Sequence, residues 1–298
     1  MTQGPGLYVH LPFCPYLCPY CDFAKWPLRA SSAQRYLQAL YAQIERAPEF
    51  AAATAFLGGG TPNAYDVETI ARLTETLRER FLLPENAEIS IEINPELVRD
   101  GDFDRYRAAG ITRVSIGVQS FEPGEVRVLG RKHTVDRVQA VVEAARASGM
   151  PSIGIDLMFA VPGQTVQSWE RSLQRAVDLD IDHVSTYGLT VEEGTPYATW
   201  QAREPQAFFD DAGEAELYAS AIQILSAAGY EQYEISNFAR RGHRCAHNAN
   251  YWANGEYLGL GVGAASYRDG VRWVSTRSLD AYVSAALELR PIPVEAER

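Results

Sequence analysis

Three of the chain's four cysteines, Cys14, Cys18 and Cys21, fall in one short stretch. Thiols so close together staple a fold poorly through disulfides, but their thiolates can converge on one metal centre. A structural zinc site takes four protein ligands, usually supplied as C-x2–4-C pairs, whereas a [4Fe–4S] cluster held by three thiolates leaves one iron open. The C-x3-C-x2-C spacing favours the cluster. A zinc knuckle completed by Cys245 or by a histidine such as His10 is the alternative.

An open iron invites a polar ligand, and residues able to hold one recur at strand-like apolar runs. Gly58-Gly59-Gly60-Thr61-Pro62 follows one such run, where glycines let backbone groups approach a ligand closely. Glu88-Ile-Ser-Ile-Glu-Ile93 alternates strictly, so its isoleucines share one face and Glu92 lies on the other. Glu92, Gln119 and Asp156, the last set inside the apolar Ile153–Phe159, are costly in a lumen unless paired or ligand-bound. Arg131 supplies a fixed positive charge suited to a carboxylate. Further on, His243, Cys245 and His247 share a loop with Tyr251 and Trp252. On the residues alone this reads as a surface loop in which His247 and Asn248 satisfy backbone groups.

These residues must be positioned by a repeating scaffold. Strands are expected at Leu7–Leu11, Thr54–Leu57, Glu88–Ile93, Arg113–Val118, Ile153–Phe159 and His183–Leu189. Helices are expected at Ser31–Arg46 from a Ser cap, in the stripe from Val67 to Phe81, at Val135–Ser148 and at Gln167–Asp178. About six βα units imply a parallel sheet, doubly wound or closed toward a barrel. The cysteines then lie at the C-terminal end of the first strand, the edge where α/β proteins bind ligands. After Leu189 the rhythm breaks into an appended region: helix Glu214–Ala228, strand Glu231–Ile235, the His243–His247 loop, the glycine-rich Gly259–Gly263, a hairpin at Asp269-Gly270 and a last helix Leu279–Leu289.

With 298 residues, 46% hydrophobic and 22% charged, the chain can bury an ordinary core. Its formal charge of −11 opposes any chain-wide attraction to nucleic acid or anionic lipid. No apolar run reaches the roughly 18–20 residues of a membrane span. Met1–Gly6 lacks the basic and apolar stretches of a secretory signal, so a reducing cytoplasm with free thiols is expected.

Cys14-x3-Cys18-x2-Cys21 with aromatic Tyr20 before the third cysteine resembles the radical S-adenosylmethionine (SAM) superfamily, in which the open iron is chelated by the amino and carboxylate groups of SAM. One-electron cleavage of SAM there gives a 5′-deoxyadenosyl radical. The resemblance implies a partial (β/α)6 TIM-type barrel over residues 1–190 and a small C-terminal α+β extension over 191–298. In the coproporphyrinogen-oxidase-like branch, the residues matching Tyr8, Tyr20, Gly59, Gly60, Thr61, Glu92, Gln119, Arg131 and Asp156 surround SAM. Tyr8-Val-His-Leu-Pro-Phe-Cys14, Gly117-Val-Gln-Ser-Phe121, Tyr233-Glu-Ile-Ser-Asn-Phe238 and His247-Asn-Ala-Asn-Tyr-Trp252 are similar to the heme chaperones of that branch. The oxidase of the branch carries a further cysteine where this chain has Phe23. The resemblance therefore implies a protein that binds a [4Fe–4S] cluster, SAM and heme, the heme through His247. It also implies an electron donor such as flavodoxin or ferredoxin and a heme-acceptor apoprotein. The alternative is oxygen-independent oxidative decarboxylation of coproporphyrinogen III propionates to vinyls in porphyrin biosynthesis. A zinc-stabilised scaffold is a third class. Two departures stand out: Ala265 occupies the position where those chaperones carry histidine, and the sequence stops at Arg298 where they continue into a further helical or winged domain, so that domain is expected to be absent or truncated and the heme cleft more open.

Overall fold

A computed structural model describes residues 4–297; Met1–Gln3, part of the amino-terminal reading above, and Arg298 lie outside them. The repeating core runs β1 (Gly6–Leu11), α1 (Ala30–Arg46), β2 (Thr54–Gly59), α2 (Val67–Arg80), β3 (Glu88–Ile93), α3 (Asp102–Ala108), β4 (Arg113–Gln119), α4 (Pro123–Val128), α5 (Val135–Ala147), β5 (Ser152–Phe159), α6 (Val166–Asp178) and β6 (His183–Gly188). Strands β1 to β6 pair in chain order, all parallel. This is the open (β/α)6 barrel.

The alternation along each strand decides what the barrel is made of. Leu7, Val9, Leu57, Ile89, Ile91, Val114, Ile116, Ile155 and Leu157 are buried against helix residues such as Leu40, Ile70, Leu73, Val138 and Leu173. Their neighbours, set to the opposite face by the pleat, line the lumen: Tyr8, Phe56, Glu92, Ser115, Asp156, Ser185 and Tyr187. Burial of the apolar set holds the ring together, and the polar set is left for chemistry.

The rest of the chain comprises α7 (Pro196–Arg203), α8 (Asp211–Ala227), β7 (Glu231–Gln232), β8 (Asn237–Ala239), α9 (Ala246–Trp252), β9 (Tyr257–Leu260), β10 (Ala265–Arg268), β11 (Val271–Ser275), α10 (Leu279–Leu287) and β12 (Val294–Glu297). It is woven into the same sheet, because β9 lies parallel beside β1 and β8 lies antiparallel beside β6. The full order is β12-β11-β10-β9-β1-β2-β3-β4-β5-β6-β8-β7. Ala265 opens β10 opposite Val274.

Three local expectations are corrected. Helix α1 starts at Ala30 behind Arg29, with no side-chain cap, not from a serine cap. The expected strand Glu231–Ile235 breaks after Gln232, because Tyr233 N–H bonds the Asn237 carbonyl and Ser236 N–H bonds the Glu234 carboxylate, which makes a turn. The expected loop carrying His247 is helix α9.

Candidate functional site: a lumenal cavity under three cysteines

A cavity of about 510 Å³ runs down the lumen from the C-terminal edge of the strands. At its mouth sit Cys14, Cys18 and Cys21, held by a short parallel ribbon of Phe13–Cys14 with Trp26–Pro27. Trp26 N–H bonds the Pro12 carbonyl (2.9 Å) and Leu28 N–H the Cys14 carbonyl (2.8 Å), so both ends of the cysteine loop are pinned. Inside the loop, Tyr16 donates to Glu96 while Lys132 lies over its ring at 4.8 Å. Burial pushes the Cys14 thiol up to about 11 and raises that of Cys21, so metal loading must displace protons.

The donor set fits an iron–sulfur cluster. Among the described residues no three His, Cys, Asp or Glu side chains stand together as the ligands of one metal ion. A cluster needs no such group, because its thiolates bind separate irons. The zinc alternative loses its fourth ligand. Cys245 lies at the opposite, amino-terminal end of the strands beside Glu88 (Sγ to Oε1 3.4 Å). His10 has both nitrogens engaged, with the Tyr8 hydroxyl (2.9 Å) and the Ala24 carbonyl (2.7 Å), and burial lowers its pKa to about 4.

Each residue expected around SAM lines this cavity: Tyr8, Tyr20, Gly59, Gly60, Thr61, Glu92, Gln119, Arg131 and Asp156. The glycine-rich run owes its composition first to β1. A Cβ on Gly59, whose φ is +105°, would lie 2.3 Å from the His10 ring, and one on Gly60 would lie 2.6 Å from the Leu11 carbonyl. The bared Gly59 N–H donates to Glu92 Oε2 (3.0 Å). Gln119 has a left-handed φ of +65° where β4 shifts register against β5, and this turns its side chain into the cavity. Arg131 is fixed by Asn94 Oδ1 (2.8 Å) and the Gly117 carbonyl (2.5 Å), approaches the Cys18 sulfur at 4.0 Å, and keeps a buried Nε without a partner. An unpartnered guanidinium nitrogen beside the cluster loop is a ready carboxylate anchor.

Deeper in the lumen, Asp156 accepts from the Ser115 hydroxyl (2.9 Å) and faces Ser185. Burial raises its pKa, and burial followed by repulsion from Asp156 lifts that of Glu92 to about 7. Sequence reasoning missed Ser115, Ser185, Tyr187 and Asn94. The two-residue period from Asp156 and from the other lumenal residues was the available signal for the strand members.

Because the fold favours neutral Glu92, the unliganded protein is expected to lose stability as pH rises from about 4.5 to about 7. Glu92 lines an open cavity and not a sealed core, so the loss is put at about 1–2 kcal/mol. Glu92→Gln should remove that loss, making the variant the more stable protein at pH 8 in urea titrations while its affinity for SAM falls. A variant less stable than the parent at pH 8 would refute the assignment.

His247 is buried, at 1% exposure, on α9 at the amino-terminal end of the strands. Its Nδ1 meets the Thr54 hydroxyl and its Nε2 the Tyr251 hydroxyl, both at 2.8 Å, and burial lowers its pKa to about 4. Both ring nitrogens are thus engaged within the chain, and the segment expected as a loop is helical.

An open parallel barrel with a tri-cysteine loop at its mouth and buried carboxylates beneath is the architecture of a radical SAM protein. The family model of the radical SAM superfamily matches residues 8–176, and the chain belongs to that superfamily. Heme chaperone HemW of Mycobacterium tuberculosis (strain ATCC 25618 / H37Rv) is 39% identical over 287 residues, covering 94% of this chain and 74% of that protein. HemW of Escherichia coli (strain K12) is 36% identical over 264 residues, covering 87% and 69%. Within the superfamily the chain therefore belongs to the family of these HemW proteins. Among solved structures, coproporphyrinogen III oxidase HemN of Escherichia coli, a radical SAM enzyme, superposes with a TM-score of 0.85 at 27% identity over all of this chain and 72% of that one.

Proposed function

We propose that the chain is a cytoplasmic heme chaperone that binds a [4Fe–4S] cluster, SAM and heme and passes heme to an acceptor apoprotein. Cys14, Cys18 and Cys21 hold the cluster, whose open iron supplies the site for the amino and carboxylate groups of SAM. Arg131 anchors the SAM carboxylate. Thr61 and the backbone of Gly59 and Gly60 bound the methionine end, while Glu92 and Asp156 accept polar hydrogens deeper down, with Tyr8, Tyr20 and Gln119 closing the pocket. A cluster held there would take its electron from a donor of the flavodoxin or ferredoxin kind.

The observation that carries the chaperone reading over the oxidase is Phe23. It is 59% exposed on the mouth of the cavity, at the position where the resemblance to the oxidase implies a further cysteine. An apolar ring there offers a porphyrin a contact face and no thiol chemistry. The HemN likeness keeps the oxidase as the second reading. Reduced, reconstituted protein given SAM and coproporphyrinogen III is expected to yield no protoporphyrinogen IX, while hemin added to the same preparation gives a shifted Soret band. Clear turnover would transfer the assignment to the oxidase.

A further inference from the structure

The motif His247-Asn-Ala-Asn-Tyr-Trp252 lies far from the cysteines, and its side chains have definite partners. At the start of α9, the Ala246 and His247 N–H groups both donate to Glu88 at the first position of β3, at 3.0 Å each. Glu88 is in turn paired with Arg113, the first residue of β4 (3.4 Å). A carboxylate that takes the first amides of a helix satisfies donors with no intrahelical partner. The His247 ring stacks on Phe56 (5.5 Å between centroids, 28° between planes) and bonds Thr54 at the start of β2. It also abuts β1, where a Cβ on Gly6 would come within 2.9 Å of its Cε1. Asn248 donates to Glu234 (3.2 Å) in the turn before β8, and Tyr251 packs edge-on against Tyr257 of β9 (4.5 Å).

From these contacts we infer that α9 is a plug that closes the amino-terminal end of the barrel across its open seam, and that heme is held from the cysteine mouth without ligation by His247. Helix α9 touches the leading ends of β1, β2 and β3 on one side and the turn before β8 on the other, bridging strands that lie apart in the sheet order. His247 is a positioning residue. A neutral imidazole has one donor and one acceptor nitrogen, and the Thr54 and Tyr251 hydroxyls satisfy both. His247 and Tyr251 line the inner end of the cavity, and an iron could reach either ring nitrogen only by breaking one of these bonds. The heme part of the inference rests on the proposed function; the plug does not.

The test uses the full reconstituted chain. Hemin titration of His247→Gln is expected to reproduce the parent's Soret position and affinity within about two-fold, while its melting midpoint drops by about 2–4 °C. Loss of the Soret shift at an unchanged melting midpoint would overturn the inference. Should His247→Gln fail to fold, Tyr251→Phe decides, because it frees Nε2 and leaves the ring. The expected result is unchanged hemin affinity together with new reactivity of His247 toward diethyl pyrocarbonate, from which the parent ring is protected. Tenfold tighter hemin binding in Tyr251→Phe would instead show His247 to be a ligand. If the parent binds no hemin, the chaperone reading fails, and the melting and protection data still decide the plug. A His247 as reactive as the half-buried His243 in the parent would overturn it.

Discussion

Replacing Arg113 with alanine is expected to cost the folded chain about 3 kcal/mol, the lower end of what breaking a buried ion pair removes. The Arg113 side chain is 4% exposed, pairs with Glu88 through Nε and donates from its other arm to the His243 carbonyl. Alanine would leave Glu88 charged at the barrel floor, with only the amides at the start of α9 and the Cys245 thiol as partners. The His243 carbonyl would lose its donor at the same time. The damage should be local to the floor, so chemical denaturation is expected to show a lower midpoint with an unchanged slope. Adding Glu88→Gln to Arg113→Ala should recover part of the loss, because the stranded charge is then gone. A loss below about 1 kcal/mol would mean that the pair does not hold the floor.

How much of this was legible beforehand depended on the range of the interaction that decides each element. Glu88–Ile93 was readable in full, since a strict two-residue period fixes Ile89 and Ile91 outward and Glu92 inward once strands alternate with helices. The cysteine triple was equally readable, because its spacing sets its chemistry. Helix α9 was not. Asn248 and Asn250 are weak helix formers, and the carboxylate that secures its first turn comes from Glu88, 159 positions before His247. The turn at Tyr233–Ser236 is likewise decided by Glu234 folding back on Ser236 rather than by its strand-like composition. At Gly59 and Gly60 the sequence marked the right place, but the close neighbours that demand glycine are His10 and the Leu11 carbonyl.

Substituting Cys14, Cys18 and Cys21 together with alanine should remove bound iron altogether, the largest effect foreseen. In the parent, anaerobic reconstitution is expected to load about four irons per chain with the brown absorbance of a cluster. The three thiols share one cavity wall, pinned by the Phe13–Cys14 and Trp26–Pro27 ribbon, whereas Cys245 is at the far end of the barrel next to Glu88. Cys245→Ala should therefore leave the iron content unchanged. Because burial raises the Cys14 and Cys21 thiols, loading should be faster at higher pH, where their deprotonation costs less.

The central claim is that these three thiolates leave one iron open toward Arg131, Glu92 and Asp156, where SAM binds. It is tested most directly by the electron paramagnetic resonance spectrum of the reduced, reconstituted protein with and without SAM. SAM should change the spectrum of a cluster accounting for about four irons per chain. Identical spectra at saturating SAM, or stoichiometric zinc with no iron, would contradict it.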